Sequence, residues 1–253
     1  MNETPVCQIR IAMWSGPRNL STAMMRSFGA RADTVCVDEP FYAAYLDMTG
    51  QAHPMRDEIL ARHETNPLRV INEMVNAPPL APIFYQKQMT HHMLQDIPRQ
   101  WMGHVRNVFL IRHPARVLAS YIKKMEAISL EAIGFAQQLD LFNFAQSLSG
   151  ETPIVIDSDD ILKNPKGMLC SLCEHLGIAY DEAMLSWAQG GRPEDGAWAP
   201  HWYDAVCQST GFSQLREEIP ELAPEYKDIQ DKALEIYESL AQFRIRPLQK
   251  SLI

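Results

Sequence analysis

Arg18, Ser21 and Thr22 lie within five residues of one another, just after an apolar run, Ile9-Arg10-Ile11-Ala12-Met13-Trp14-Ser15, and a Gly16-Pro17 turn. A guanidinium and two hydroxyls at the opening turn of a helix sit beside free backbone N–H groups and the positive end of the helix dipole. That combination suits a phosphate or a sulfate. A second set has the same form. Asn107-Val108-Phe109-Leu110-Ile111 reads as a strand, Arg112 stands at its end, His113-Pro114 turns the chain, and Ser120 follows Arg112 by eight residues. Two such turns on one parallel sheet suit a ligand with anionic groups at both ends.

Groups that could move a proton follow two other apolar runs. Glu39 comes directly after Thr34-Val35-Cys36-Val37-Asp38, and Lys87, His91 and His92 close or follow Pro82-Ile83-Phe84-Tyr85-Gln86-Lys87-Gln88-Met89. Ligands of parallel α/β sheets sit at the carboxyl edge, so both segments should open on one crevice. Histidine suits proton transfer near neutral pH. A glutamate must have its pKa raised by burial or act in a concerted step. Each has a plainer role: Glu39, before Pro40, is placed to cap a helix starting at Phe41, and adjacent histidines point in different directions, so at least one is structural. Lys87 is either a cation over a transferring group or a solvated strand end. The base stays open between Glu39, His91 and, behind them, His92.

At these residues the chain resembles the sulfotransferases that use 3′-phosphoadenosine 5′-phosphosulfate (PAPS). That family holds the 5′-phosphosulfate in a Pro-Lys-Ser-Gly-Thr-Thr type loop, where this chain has Pro17-Arg18-Asn19-Leu20-Ser21-Thr22. The family's Arg followed eight residues on by a Ser, which holds the 3′-phosphate, is matched by Arg112 and Ser120. The chain departs at Arg18, where the family has Lys, and at Leu20, where it has Gly. The resemblance implies a P-loop NTPase-like sulfotransferase fold and sulfuryl transfer from PAPS to a hydroxyl or amine of a small acceptor. It implies a donor site of Gly16, Pro17, Arg18, Asn19, Ser21, Thr22, Arg112 and Ser120, and no metal. Glu39 is similar to the carboxylate base that some bacterial and Golgi-type members carry after the second strand. Lys87 to His91 is similar to the Lys-Thr-His segment of cytosolic members. Arg192 and Trp198 resemble the late region that closes over the nucleotide, and Trp14 is a candidate to stack on the adenine.

Sulfuryl transfer asks for a base, cations on the transferring group and leaving oxygen, and in-line placement of the donor. Two other readings compete. A P-loop phosphotransferase is opposed by the missing Gly-Lys-Ser/Thr ending and by the lack of an acidic strand end for Mg²⁺ beyond Asp38 and Asp157. A catalytically silent nucleotide-binding protein is kept open by Arg18 and Leu20.

The elements that must position these residues alternate strand and helix, which gives an α/β fold: three layers around a mostly parallel sheet. Strands are expected at 8–15, 34–38, 82–89, 106–111 and 153–157. Helices are expected at 18–29, from Phe41, through 54–77 with a break near Pro67, and at 113–126, 129–148, 163–177 and 223–243. Residues 178–213 carry no periodic pattern and read as a long functional loop. Without a linker or repeat, residues 1–253 read as one domain. Hydrophobic residues make up 46% and charged residues 21% of the chain, which fits an ordered globule. A net charge of −8 argues against nucleic acid as a partner, while Arg18, Arg26, Lys87, Arg112 and Arg116 can oppose that sign locally. Five cysteines, an odd number, and an N-terminus without a leader pattern point to a reduced, cytoplasmic protein with no membrane span. Cys170 and Cys173 form a lone C-x-x-C on a helix, expected to be core rather than metal ligands. The acceptor and the oligomeric state are not legible.

Overall fold

The computed structural model describes residues 8–125 and 128–248. The N-terminal segment read for a leader, Cys7, and residue 126 of the expected 113–126 helix lie outside the described residues. The strands are β1 (Ile9–Ser15), β2 (Thr34–Asp38), β3 (Ile83–Met89), β4 (Arg106–Ile111) and β5 (Ile154–Asp157). They form one sheet in the order β2-β3-β1-β4-β5, with every pairing parallel. Helix α1 (Ser21–Gly29) follows β1. Next, α2 (Tyr42–Thr49), α3 (Arg56–Arg62) and α4 (Pro67–Asn76) fill the connection from β2 to β3, and α5 (Pro114–Tyr121) and α6 (Phe135–Ser149) that from β4 to β5. The chain ends through α7 (Ser158–Lys163), α8 (Pro165–Leu176), two one-turn helices, α9 (Ala199–Trp202) and α10 (Asp204–Cys207), and α11 (Lys227–Ala241).

Side chains alternate across a strand, so each strand feeds two cores. From β1, Ile11 and Met13 join Met24 and Phe28 of α1 and Leu169 and Leu172 of α8 on one face. Ala12 and Trp14 join Met74 of α4, Leu141 and Phe142 of α6, and Leu240 of α11 on the other. The result is the expected α/β/α stack. Cys173 belongs to the first core, its sulfur 3.8 Å from that of Met184, and burial pushes its thiol up to about 11. Among the described residues no helix is long and apolar enough to cross a membrane.

Local chemistry explains where the boundaries differ from the sequence reading. The 54–77 stretch is two helices because Asn66 caps α4, its side chain accepting from the Leu68 and Arg69 N–H groups, with Pro67 in the first turn. The expected 129–148 helix begins only at Phe135. Gly134 takes φ +73, and a Cβ there would meet Thr90 Oγ1 at 2.7 Å and Gly16 Cα at 3.4 Å. The 178–213 segment is not all loop, since it carries a 3₁₀ turn at Glu182–Leu185 as well as α9 and α10.

Trp14 corrects one expectation. It is fully buried in the second core, 5.7 Å from Trp101 between ring centroids, and its Nε1 donates to Asn107 Oδ1 at 2.9 Å. An indole with both its surface and its N–H satisfied inside the protein is not placed to stack on a ligand. Trp14→Ala should therefore cost about 3–5 kcal/mol in urea denaturation.

Candidate functional site

All four segments singled out by their chemistry leave the carboxyl ends of strands: 16–20 after β1, Glu39 after β2, 90–92 after β3 and Arg112 after β4. They border one cavity of about 430 Å³. Of the expected site residues, Pro17, Arg18, Asn19, Ser21, Thr22, Glu39, Lys87, His91, Arg112 and Ser120 line it, as does His92.

One end is cationic. Arg18 Nε donates to Ser120 Oγ at 2.8 Å, and Arg112 Nη1 donates to the Arg18 carbonyl at 2.6 Å, so the two turns touch. Neither guanidinium makes an ion pair among the described residues, and Arg112 Nε is buried with no partner. Burial lowers the pKa of both. An uncompensated cation out of water calls for an anion. Next to them α1 begins without a capping side chain, leaving its first N–H groups free. The turn itself is tightly held. Asn19 Nδ2 reaches the Leu110 carbonyl at 3.4 Å, and the Ser158 hydroxyl lies 2.8 Å from the Asn19 carbonyl and 2.9 Å from that of Ile111. Arg18 and Leu20 both adopt left-handed backbone, φ 64 and 74. Leu20 thus keeps, with a side chain, the conformation that glycine adopts freely at the matching place in the resembled loop.

The other end holds a closed network around a buried ammonium. Lys87 Nζ donates to Asp38 Oδ1 at 2.9 Å, to the Tyr203 hydroxyl at 2.7 Å and to Glu39 Oε1. Those are all three of its protons. The expected role of Lys87 as a cation over a transferring group is thereby corrected, because it has no donor left to offer. Burial works against its charge, but Asp38 and Glu39 outweigh that and raise its pKa. Burial raises the pKa of Glu39, and the Lys87 charge opposes the rise. Glu39 sits at φ 41, gripped by its N–H to the Lys87 carbonyl at 2.9 Å. Its Oε2 accepts no hydrogen bond among the described residues and lies 3.9 Å from His92 Nδ1.

Both histidines are neutral at pH 7. Burial, with the nearby charges of His53 and Lys87, takes His91 down to about 4, and burial takes His92 well below its usual range. The Nδ1 atoms of both are buried without partners. His92 stacks on Tyr42 with ring centroids 4.4 Å apart, and the Tyr42 hydroxyl lies within 3.0 Å of the His53 ring nitrogens.

Other expected residues lie elsewhere. Gly16 does not border the cavity; a Cβ there would run into the Ile133 carbonyl, so the glycine permits close packing. Arg192 is outside it, half-buried, with Nη2 on the Ala188 carbonyl at 2.9 Å. Trp198 is buried in a separate cluster, its Nε1 on the Tyr203 hydroxyl at 3.1 Å. Arg26 pairs with Asp195 at 2.6 Å and Arg116 with Asp159 at 3.0 Å, so neither cation is available to a ligand. Asp38 is engaged by Lys87, and Asp157 caps α7 while accepting from Tyr237 at 2.6 Å. Sequence reasoning missed Tyr203, Tyr42 and His53, and Asp38 as a partner of Lys87. Only Asp38 had a usable signal, its place beside Glu39.

The chain matches the Sulfotransfer_5 sulfotransferase-domain family over residues 9–243. Branched-chain-amino-acid aminotransferase-like proteins 1 and 2 of Arabidopsis thaliana are 35% and 34% identical to it. Those matches cover 91% of this chain and 41% of each relative, so the chain spans less than half their length. Among solved structures, the sulfotransferase domain of the curacin biosynthetic pathway aligns with a TM-score of 0.57 at 15% identity, covering 96% of this chain and 99% of that one. The sulfotransferase domain of the Synechococcus PCC 7002 olefin synthase gives 0.57 at 16%, covering 95% and 97%. The Alicyclobacillus acidocaldarius sulfotransferase gives 0.56 at 12%, covering 96% and 98%. These structures share its P-loop-like α/β fold, and by the match across residues 9–243 the chain belongs to the sulfotransferase-domain family.

Proposed function

We infer that this protein moves a sulfuryl group from PAPS to a hydroxyl or amine of a small acceptor, with Glu39 as the base. One observation carries the reading. A single cavity has two arginines without counter-ions at one end and, at the other, a buried carboxylate with one oxygen tied down and one free. Arg112 and Ser120 suit the 3′-phosphate end of the donor, and Arg18, in the turn before α1, suits the 5′-phosphosulfate end. The free N–H groups of α1, with the Ser21 and Thr22 hydroxyls, suit the 5′-phosphosulfate. Asn19 and Pro17 shape the turn. Glu39 Oε2 takes the acceptor's proton as the acceptor atom bonds to sulfur; the bond from sulfur to the bridging phosphate oxygen breaks, and 3′-phosphoadenosine 5′-phosphate (PAP) leaves. The acceptor shares the cavity with the donor, which favours a small molecule. The match over residues 9–243 supports reading the chain as one domain. Among the described residues Cys36, Cys170, Cys173 and Cys207 are free thiols, which supports a reducing, cytoplasmic setting.

Glu39 is preferred to His91 on basicity. An imidazole held near pKa 4 binds a proton weakly, whereas a carboxylate whose pKa is raised binds one more strongly than usual. Replacing Glu39 with Gln should slow single-turnover transfer by about 10²–10⁴-fold with PAP affinity unchanged. The base acts ionised, so the rate falls as pH drops through its folded pKa. The acid limb should therefore lie above 4.5, the ordinary value. An acid limb near pH 4 that disappears in His91→Asn would transfer the role to His91.

The donor assignment has its own test. Arg112→Ala should weaken PAP by about tenfold or more, about 1.4 kcal/mol, and leave adenosine 5′-monophosphate nearly unaffected. Equal losses for the two nucleotides in calorimetry would remove Arg112 from the 3′-phosphate.

A further inference from the structure

The last segment to reach the site comes from a part of the sequence with no pattern. Arg26 of α1 and Asp195 form a bidentate pair, 2.6 and 2.7 Å, that pins its start. The Gly196 N–H then donates to Asp38 Oδ2 at 3.2 Å, and the Ala197 N–H to His63 Nε2 at 3.2 Å. Tyr203 follows, between α9 and α10, with its hydroxyl in the centre of the carboxylate–lysine network. That oxygen accepts from Lys87 Nζ at 2.7 Å and from Trp198 Nε1 at 3.1 Å, and donates to Asp38 Oδ2 at 2.7 Å. Its two lone pairs and its one proton are all in use.

The count of donors and acceptors around Lys87 closes only with Tyr203 present. Asp38 Oδ1, Glu39 Oε1 and the Tyr203 oxygen each take one ammonium proton. If the hydroxyl is removed, one buried N–H is orphaned. The nearest carboxylate oxygen on these partners without a hydrogen bond is Glu39 Oε2, the atom that receives the acceptor's proton. An ammonium that turned to cover Oε2 would silence the base while leaving the fold and the donor end in place.

We propose that Tyr203 is a positioning residue for sulfuryl transfer: through Lys87 and Asp38 it keeps Glu39 Oε2 uncovered and facing the acceptor. The inference rests on the reading of Glu39 as base. It makes the 195–207 segment a brace on the base rather than a lid on the nucleotide. It also gives Lys87 work that needs no contact with the sulfuryl group.

The test is a double-mutant cycle on the full chain in single turnover at saturating donor and acceptor, with PAP affinity measured in parallel. Tyr203→Phe keeps the ring and removes only the oxygen. It should lower the transfer rate by about 10- to 100-fold, leave PAP affinity unchanged, and cause no further loss in the Glu39→Gln background, because the group it positions is gone. Losses that multiply in the double variant would overturn the proposal, as would an unchanged rate in Tyr203→Phe or an equal fall in PAP affinity. An unchanged rate in Glu39→Gln alone defeats the base assignment instead, so the two failures are separable. If Tyr203→Phe is too unstable to assay, Asp38→Asn loosens the same network and is judged by the same three measurements.

Discussion

The carboxylate end of the cavity depends on one buried ammonium. Lys87 is almost wholly removed from water, and so are the two carboxylates that face it. Taking such ions out of water costs several kcal/mol each, and only close mutual pairing with every proton used offsets it. Here the pairing is complete on the lysine side and incomplete on one atom only, Glu39 Oε2. Two carboxylates against one ammonium leave the group with a formal charge of −1. Burial is the main reason the pKa of Glu39 is raised; the Lys87 charge opposes the rise and the Asp38 charge adds to it. Charge neutrality is withheld at Glu39, the residue proposed as the base.

The cationic end has the opposite imbalance. Buried arginines elsewhere in the protein are neutralised, Arg26 by Asp195 and Arg31 by Asp33. Arg18 and Arg112 have no carboxylate partner among the described residues, although both are partly buried. Strain is concentrated at the same edge. Of the four non-glycine residues with positive φ among those described, Arg18, Leu20 and Glu39 border the cavity. Each costs of order 1–3 kcal/mol; Arg18 is held by Arg112 and Ser120, and Glu39 by the Lys87 carbonyl. Met55, the fourth, opens α3 away from these turns. The sheet supplies the rigidity that makes such local costs bearable, since all four connecting turns rise from parallel neighbours in one register.

Much of this was legible in the sequence, and the exceptions share a cause. The strand–turn–helix units around Arg18 and Arg112 announce themselves because hydrophobic period, turn residues and hydroxyl spacing all agree. Alternation along β1 separates its side chains into two sets, yet it does not say which set meets the ligand edge, and so Trp14 was misplaced. Arg192 has the right residue type in the right region, but its guanidinium turns to the Ala188 carbonyl, outside the cavity, while Asp195 folds inward onto Arg26. Tyr203 and His53 lie in stretches without periodicity. Their relation to Lys87 and Tyr42 exists only once distant parts of the chain have met. Lys87 lines the cavity with its donors turned to Asp38, Glu39 and Tyr203, which the spacing of a cation along a strand does not foretell because it does not count partners.

The direct contact of Arg18 with Ser120 bears on how the two ends work together. A hydroxyl that accepts from a guanidinium still has its own proton. Ser120 can therefore hold Arg18 and donate to an anionic oxygen at the same time, so an arriving phosphate need not compete with the arginine for it. The same bond draws Arg18, whose backbone belongs to the turn before α1, across to the helix that follows β4. Charge placed beside Ser120 is thus felt by the turn that opens α1, without any movement of the sheet. The two turns are joined by the protein's own bonds, Arg18 Nε to Ser120 Oγ and Arg112 Nη1 to the Arg18 carbonyl, so their spacing is set by the fold.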